Sequence, residues 1–112
     1  MEFDINASDG ATIITVQAAR IDAAVAIQFK DLMQEATDGL DGRIILDLTQ
    51  VDFIDSSGLG AIVASMKQLQ PGQKLELASL NTNVDKVFRL TRMDTVFPIH
   101  NDIRTAVSSH AG

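Results

Sequence analysis

The chain contains no cysteine, which excludes disulfides, thiolate catalysis and any cysteine-ligated zinc or iron–sulfur centre, and suits a reducing compartment. Histidine is nearly as scarce. Only His100 and His110 occur, both near the C-terminus, and an isolated imidazole makes neither a catalytic triad nor a metal site, so each is expected at the surface. No stretch approaches the roughly 20 consecutive apolar residues of a membrane-spanning helix. The N-terminus, M-E-F-D-I-N, lacks the basic and apolar regions of a signal peptide. A soluble, cytoplasmic protein with no membrane partner is expected.

Positive charge is thin as well. Nine Lys and Arg stand against fifteen Asp and Glu, a formal charge of −6, and the nine are scattered. Phosphate contacts need clustered Lys and Arg, so nucleic acid is not expected as a partner. An acidic balance favours encounter with a basic partner surface instead. There is no G-x-S-x-G elbow, Walker A loop or dinucleotide fingerprint. Asp47, Asp52 and Asp55 suggest a metal or phosphoryl-transfer centre, but aspartates at strand ends are also ordinary turn formers and caps. No catalytic residue, cofactor or metal site is assigned.

What is present is pattern. With 112 residues, 46% of them hydrophobic, the chain can bury one core, and a single domain over residues 1–112 is expected. Ile14, Val16 and Ala18 alternate with Thr15 and Gln17 as in a half-buried strand, Gly10 offers a turn before it, and Phe3 and Ile5 suit a paired hairpin strand. Val25, Phe29, Leu32, Met33 and Ala36 recur at helical spacing before Gly39, predicting a helix from about Ala23 to Asp38 with Asp22 as its N-cap. Within Arg43 to Leu48, Ile44, Ile45, Leu46 and Leu48 form a nearly continuous apolar run, as expected of a central strand covered on both faces.

A second helix, about Ser57 to Leu69, follows from Leu59, Ile62, Val63, Met66 and Leu69; its other face, Ala61, Ala64, Ser65 and Gln68, reads either as a smooth docking surface or as plain solvent-exposed helix. Leu75 and Leu77 alternate with Lys74 and Glu76 in a further strand. Val84, Val87 and Phe88 place a third helix after Asn81 to Asn83. Phe97-Pro98-Ile99 suits a short strand, and a last helix runs from Asn101 to about Ser109. The fold class is therefore α/β, with a mixed or parallel sheet of about four to five strands and about four helices.

The most informative segment is V-D-F-I-D-S-S-G-L-G, Val51 to Gly60, which carries the chain from the central strand into the second helix. Ser56 and Ser57 fall where unpaired N–H groups and the helix dipole favour a phosphate. Asp and Ser there are also preferred N-caps, so the same residues read as a plain helix start. Gly58 and Gly60 in the first turn each cost about 0.5–1 kcal/mol relative to alanine, which suggests a close backbone approach.

D-S-S-G-L-G after a strand resembles the signature of the STAS domains of bacterial anti-sigma factor antagonists. A-R-I-D at Ala19 to Asp22, I-I-L-D-L, K-L-E-L-A-S and V-D-K-V-F-R-L-T-R-M-D extend the resemblance along most of the chain. It implies that Ser56 is phosphorylated and that Asp55 and Ser57 flank the acceptor. Gly58, Leu59 and Gly60 would form the first helical turn, and Asp22 would lie close to the partner surface. The unphosphorylated form would bind an anti-sigma factor and free the sigma factor. A serine kinase, often the anti-sigma factor itself, would break the complex, and a serine phosphatase would restore it. The chain would act as a monomer or weak dimer. Ala19 departs from the glycine usual in such antagonists. The rival implication is a STAS adaptor in a larger signalling or transport assembly, without a serine switch.

Overall fold

Asp9 (φ 42°) and Gly10 (φ 80°) reverse the chain between β1 (Glu2–Ser8) and β2 (Ala11–Gln17), which pair antiparallel with Ile5 opposite Ile14. The left-handed conformation that this turn needs is one that glycine adopts without steric cost. The fold is given by a computed structural model that describes residues 1–109, so His110 lies outside the described residues. After β2 come β3 (Arg20–Ile21), α1 (Ala26–Thr37), β4 (Gly42–Asp47), β5 (Phe53–Ile54) and α2 (Ser56–Lys67). Then follow β6 (Gln73–Ala78), α3 (Thr82–Leu90), a 3-10 turn at Met93–Thr95, β7 (Ile99–His100) and α4 (Ile103–Ser108). The class is α/β, as the alternating patterns predict.

Five strands form a mixed sheet in the order β1-β2-β4-β6-β7, antiparallel only at its β1 edge. β3 and β5 leave it and pair parallel with each other as a separate two-stranded ribbon. Strand alternation decides which side chains meet which layer. Ile44 and Leu46 join Ile14, Phe29, Met33, Ile62, Leu77 and Phe88 in the main core, whereas Ile45 points the other way, to Ile13, Ala78 and Ala106 of α4. β4 is thus covered on both faces, which is why Ile44, Ile45 and Leu46 follow one another without an alternating polar residue. Each such fully buried side chain contributes about 1.5–3 kcal/mol.

Several sequence expectations are corrected. α1 begins at Ala26 rather than Ala23, and its N-cap is Val25, not Asp22. Asp22 instead closes a turn: its Oδ1 accepts from Ala24 N at 3.1 Å and its carbonyl from Val25 N at 3.1 Å. This local side-chain bond competes with helix and delays its start.

The small face of α2 is not plain solvent-exposed helix: Ala61 is 3% and Ser65 1% exposed where α1 packs against α2, and Ala64 and Gln68 are half-buried. Ser65 satisfies its hydroxyl by donating to Ala61 O at 2.8 Å. β7 begins at Ile99, after Pro98, and α4 begins at Ile103 with Asp102 as its cap, its carboxylate accepting from Thr105 N at 2.7 Å.

Glu76 and His100 also defeat the simple pattern, which would leave both in solvent. Glu76 lies on the α4 face of the sheet and is 2% exposed. Arg43 meets it with two nitrogens, at 2.7 and 2.8 Å, and donates further to Ala106 O at 2.6 Å. His100 Nε2 lies 2.7 Å from Glu76 Oε1. Burial pushes the Glu76 carboxyl up, but bonds and charge from Arg43 and His100 outweigh it and hold the group below the usual glutamate value. Its partner Arg43 is raised, first through its bond to Glu76.

Candidate functional site

β4, the central strand, delivers the chain to the C-terminal end of the parallel strands, from which the site grows. Asp47, its last residue, accepts from Thr15 Oγ1 at 3.2 Å and from the amide and hydroxyl of Thr49, so it fixes the turn that leaves the sheet. Asp52 N donates to Ala19 O at 2.8 Å, and β5 then runs beside β3 with Phe53 opposite Arg20 and Ile54 opposite Ile21. Ala19 takes no left-handed φ, so its replacement of glycine leaves the approach to Asp22 unstrained. Asn81 secures the segment from below. Its Nδ2 donates to Val51 O at 3.0 Å and Asp52 Oδ1 at 3.3 Å, while its Oδ1 caps α3 through Val84 N at 2.9 Å.

Asp55 ends the ribbon in an extended conformation and is the N-cap of α2. Oδ1 accepts from Gly58 N at 2.8 Å, satisfying one of the orphan donors of the first turn. Oδ2 accepts from Ala23 N at 3.2 Å, tying the start of α2 to the turn after β3. Ser56 and Ser57, the first two helical residues, are exposed, and no side-chain hydrogen bond among the described residues engages either hydroxyl. Asp55 therefore does the capping, and the serines remain accessible.

The two glycines play different parts. Gly58 is buried, and a Cβ built on it would lie 1.8 Å from Ile21 O, so β3 crosses the helix where only glycine leaves room. Gly60 is exposed and a Cβ there would meet nothing within 4 Å, so the expected close approach holds at position 58 and not at 60. Leu59 is half-buried against the main core. Asp22 shares the ribbon's outer surface: its Oδ2 takes Arg20 Nε at 3.1 Å, and the Arg20 guanidinium stands 4.3 Å from the centre of the Phe53 ring.

Asp22, Asp55, Ser56 and Ser57 are thus brought together, with Gly58 beneath them. Sequence reasoning passed over Arg20, Phe53 and Asn81. For Arg20 and Phe53 a signal existed, since each sits two residues before an aspartate of the site, in R-I-D and F-I-D. Asp47, Asp52 and Asp55 do not converge, and among the described residues no group of three or more His, Asp or Glu side chains could hold a metal. His100 is committed to Glu76 on the far face of the sheet.

A serine at the start of a helix, approached by a short parallel ribbon and backed by a glycine under a crossing strand, defines a recognisable architecture. The family model for the STAS domain matches residues 2–106, and the chain belongs to that family. Among its relatives is BtrV of Bordetella bronchiseptica, assigned as an anti-sigma factor antagonist, 29% identical over 97% of this chain and 94% of its own. The anti-sigma-B factor antagonist of Listeria monocytogenes is 33% identical over 75% of each chain. The crystal structure of a Thermotoga maritima protein assigned as an anti-sigma factor antagonist is similar over 93% of this chain and 90% of its own, with 29% identity and a TM-score of 0.80.

Proposed function

We propose that this chain is an anti-sigma factor antagonist in a partner-switching system, a binding module rather than an enzyme. Unphosphorylated, it binds an anti-sigma factor, through a surface centred on Ser56 and bounded by Asp22, Asp55, Ser57, Leu59 and Gly60, and the sigma factor is released. A serine kinase, the anti-sigma factor itself in this reading, moves the γ-phosphoryl group of a nucleoside triphosphate onto Ser56 Oγ. The O–P bond forms, the nucleoside diphosphate leaves, and the hydroxyl proton goes to a base on the kinase. A serine phosphatase reverses the modification. Gly58 is buried, so it shapes this surface from beneath instead of touching the partner.

The observation that carries the reading is an exposed Ser56 at the first position of α2, beside a cap whose two oxygens are already occupied by Gly58 N and Ala23 N. Asp55 is thereby tied to two backbone amides as a positioning group at the helix start, which suits a substrate of a kinase. Phosphate adds about −1.5 to −2 charges at pH 7, stabilises its own helix end and repels an acidic or apolar surface placed over it. The switch therefore needs a change of surface charge and little internal movement.

The test is binding to the cognate anti-sigma factor by calorimetry. Ser56→Ala should keep the affinity of the unmodified protein, and Ser56→Asp or Ser56→Glu should weaken it at least tenfold. Acidic variants that bind as tightly as wild type would overturn the switch. Phosphopeptide mapping of the protein from its native cells should find Ser56 modified to an extent that changes with growth and stress.

A further inference from the structure

We propose that Arg20 is the intramolecular counter-ion of phosphorylated Ser56, exchanging its present partner Asp22 for the phosphate; this rests on the reading of Ser56 as the modified residue. Arg20, Asp22, Phe53 and Asp55 lie on one side of the β3–β5 ribbon, because Arg20 and Phe53 are register partners and Asp22 and Asp55 follow each by two. Ser56 is the next residue after Asp55. Only Asp55 stands between β5 and Ser56, the first residue of α2, and the Arg20 side chain already lies along this face against Phe53 and Asp22.

The guanidinium is underused where it stands. Only Nε has a hydrogen-bond acceptor, Asp22 at 3.1 Å, and among the described residues neither terminal nitrogen donates to any group. Its side chain is 61% exposed, with the guanidinium carbon 4.3 Å from the centre of the Phe53 ring, so the planar fork is open to solvent. Such a fork matches phosphate bidentately, whereas its present carboxylate partner is engaged through a single nitrogen.

Arg20 is the only Lys or Arg on β3, β5 or the first turn of α2. The neighbouring Asp22 and Asp55 carboxylates would raise the cost of a dianion at Ser56, and Asp22 gives up its arginine to the stronger charge while keeping its bond from Ala24 N. Phosphorylation would then do two things at the surface: add charge at Ser56, and withdraw Arg20 from Phe53, changing the apolar and cationic groups that a partner meets.

The experiment places phosphoserine at position 56 of the full chain during translation, so that no kinase is needed, and follows the second ionisation of the phosphate by 31P NMR. In wild type this ionisation should fall about half a pH unit below that in Arg20→Gln, with Arg20→Lys between them. The Arg20 Nε–H signal and the Phe53 ring protons should both shift when the phosphate is present. Lys30→Gln, which removes a similar charge from α1, should leave the phosphate titration at the wild-type value. Identical titration of wild type and Arg20→Gln, or an equal effect of Lys30→Gln, would overturn the proposal. Absence of Ser56 phosphate in native cells would overturn the functional reading alone, since the titration does not depend on it.

Discussion

Ile21 and Gly58 occupy a space with no room for one more atom: a Cβ at position 58 falls 1.8 Å from the Ile21 carbonyl oxygen and 2.6 Å from its carbon. Backbone on both sides leaves no flexible side chain to yield. Gly58→Ala should therefore push β3 from α2 and cost about 3 kcal/mol, read from urea unfolding. Gly60→Ala, two residues on and facing open space, should instead raise stability by about 0.5–1 kcal/mol.

Asp55 holds two amides with one carboxylate, and its substitutions separate the two bonds. Asp55→Ala should cost about 1–2 kcal/mol and speed amide exchange at Gly58 and Ala23 together. Asp55→Asn keeps an oxygen for Gly58 N but presents an NH₂ that cannot accept from Ala23 N, so exchange should rise mainly at Ala23. Equal exchange at both amides in the two variants would contradict this division.

The buried cluster of Arg43, Glu76 and His100 makes stability depend on acid. The Glu76 carboxyl is held low in the folded chain, so its contribution is fully present above the usual glutamate value of 4.5 and is lost as pH falls through the folded value. Urea midpoints should drop below about pH 4.5 in wild type and drop less in Glu76→Gln. Arg43→Met, which leaves His100 as the remaining side-chain partner of the buried Glu76, should cost about 3–5 kcal/mol at pH 7.

The α1–α2 contact gives a further test. Ser65→Arg forces a long cation into a site that is 1% exposed and should cost about 3 kcal/mol or more in unfolding experiments. Gln70→Arg, at an exposed position just beyond α2, should stay within about 0.5 kcal/mol of wild type.

Much of this fold is legible in the sequence because apolar spacing maps directly onto layers. Ile44, Ile45 and Leu46 announce a strand covered on both faces, and Val84, Val87 and Phe88 announce α3. The start of the second helix is legible from cap chemistry to within one residue, about Ser57 in the sequence and Ser56 in the structure, although its end comes at Lys67 rather than Leu69. What escaped notice depends on contacts between segments distant in sequence. Glu76 reads as solvent-facing by alternation, and only its pairing with Arg43, 33 residues away, makes its burial tolerable. Ala61 and Ser65 read as a free face because no local pattern reveals that α1 lies against them. The turn at Asp22 reads as a helix cap because a carboxylate that bonds the amide two residues ahead has the same sequence signature.

The anchoring of α4 has a practical consequence for anyone shortening this chain. Ala106, where the family match ends, is fully buried, and its carbonyl receives Arg43 at 2.6 Å. Its neighbour Val107 packs on the same small core, and the last turn of α4 closes through Ser109 N to Thr105 O. A stop placed at that boundary would put a charged terminal carboxylate beside the Arg43–Glu76 pair and leave Ile13 and Ile45 under an unfinished helix. Expression limits drawn from family alignment would thus cut at a structural joint, and a boundary at this end should keep α4 whole through its cap at Ser109.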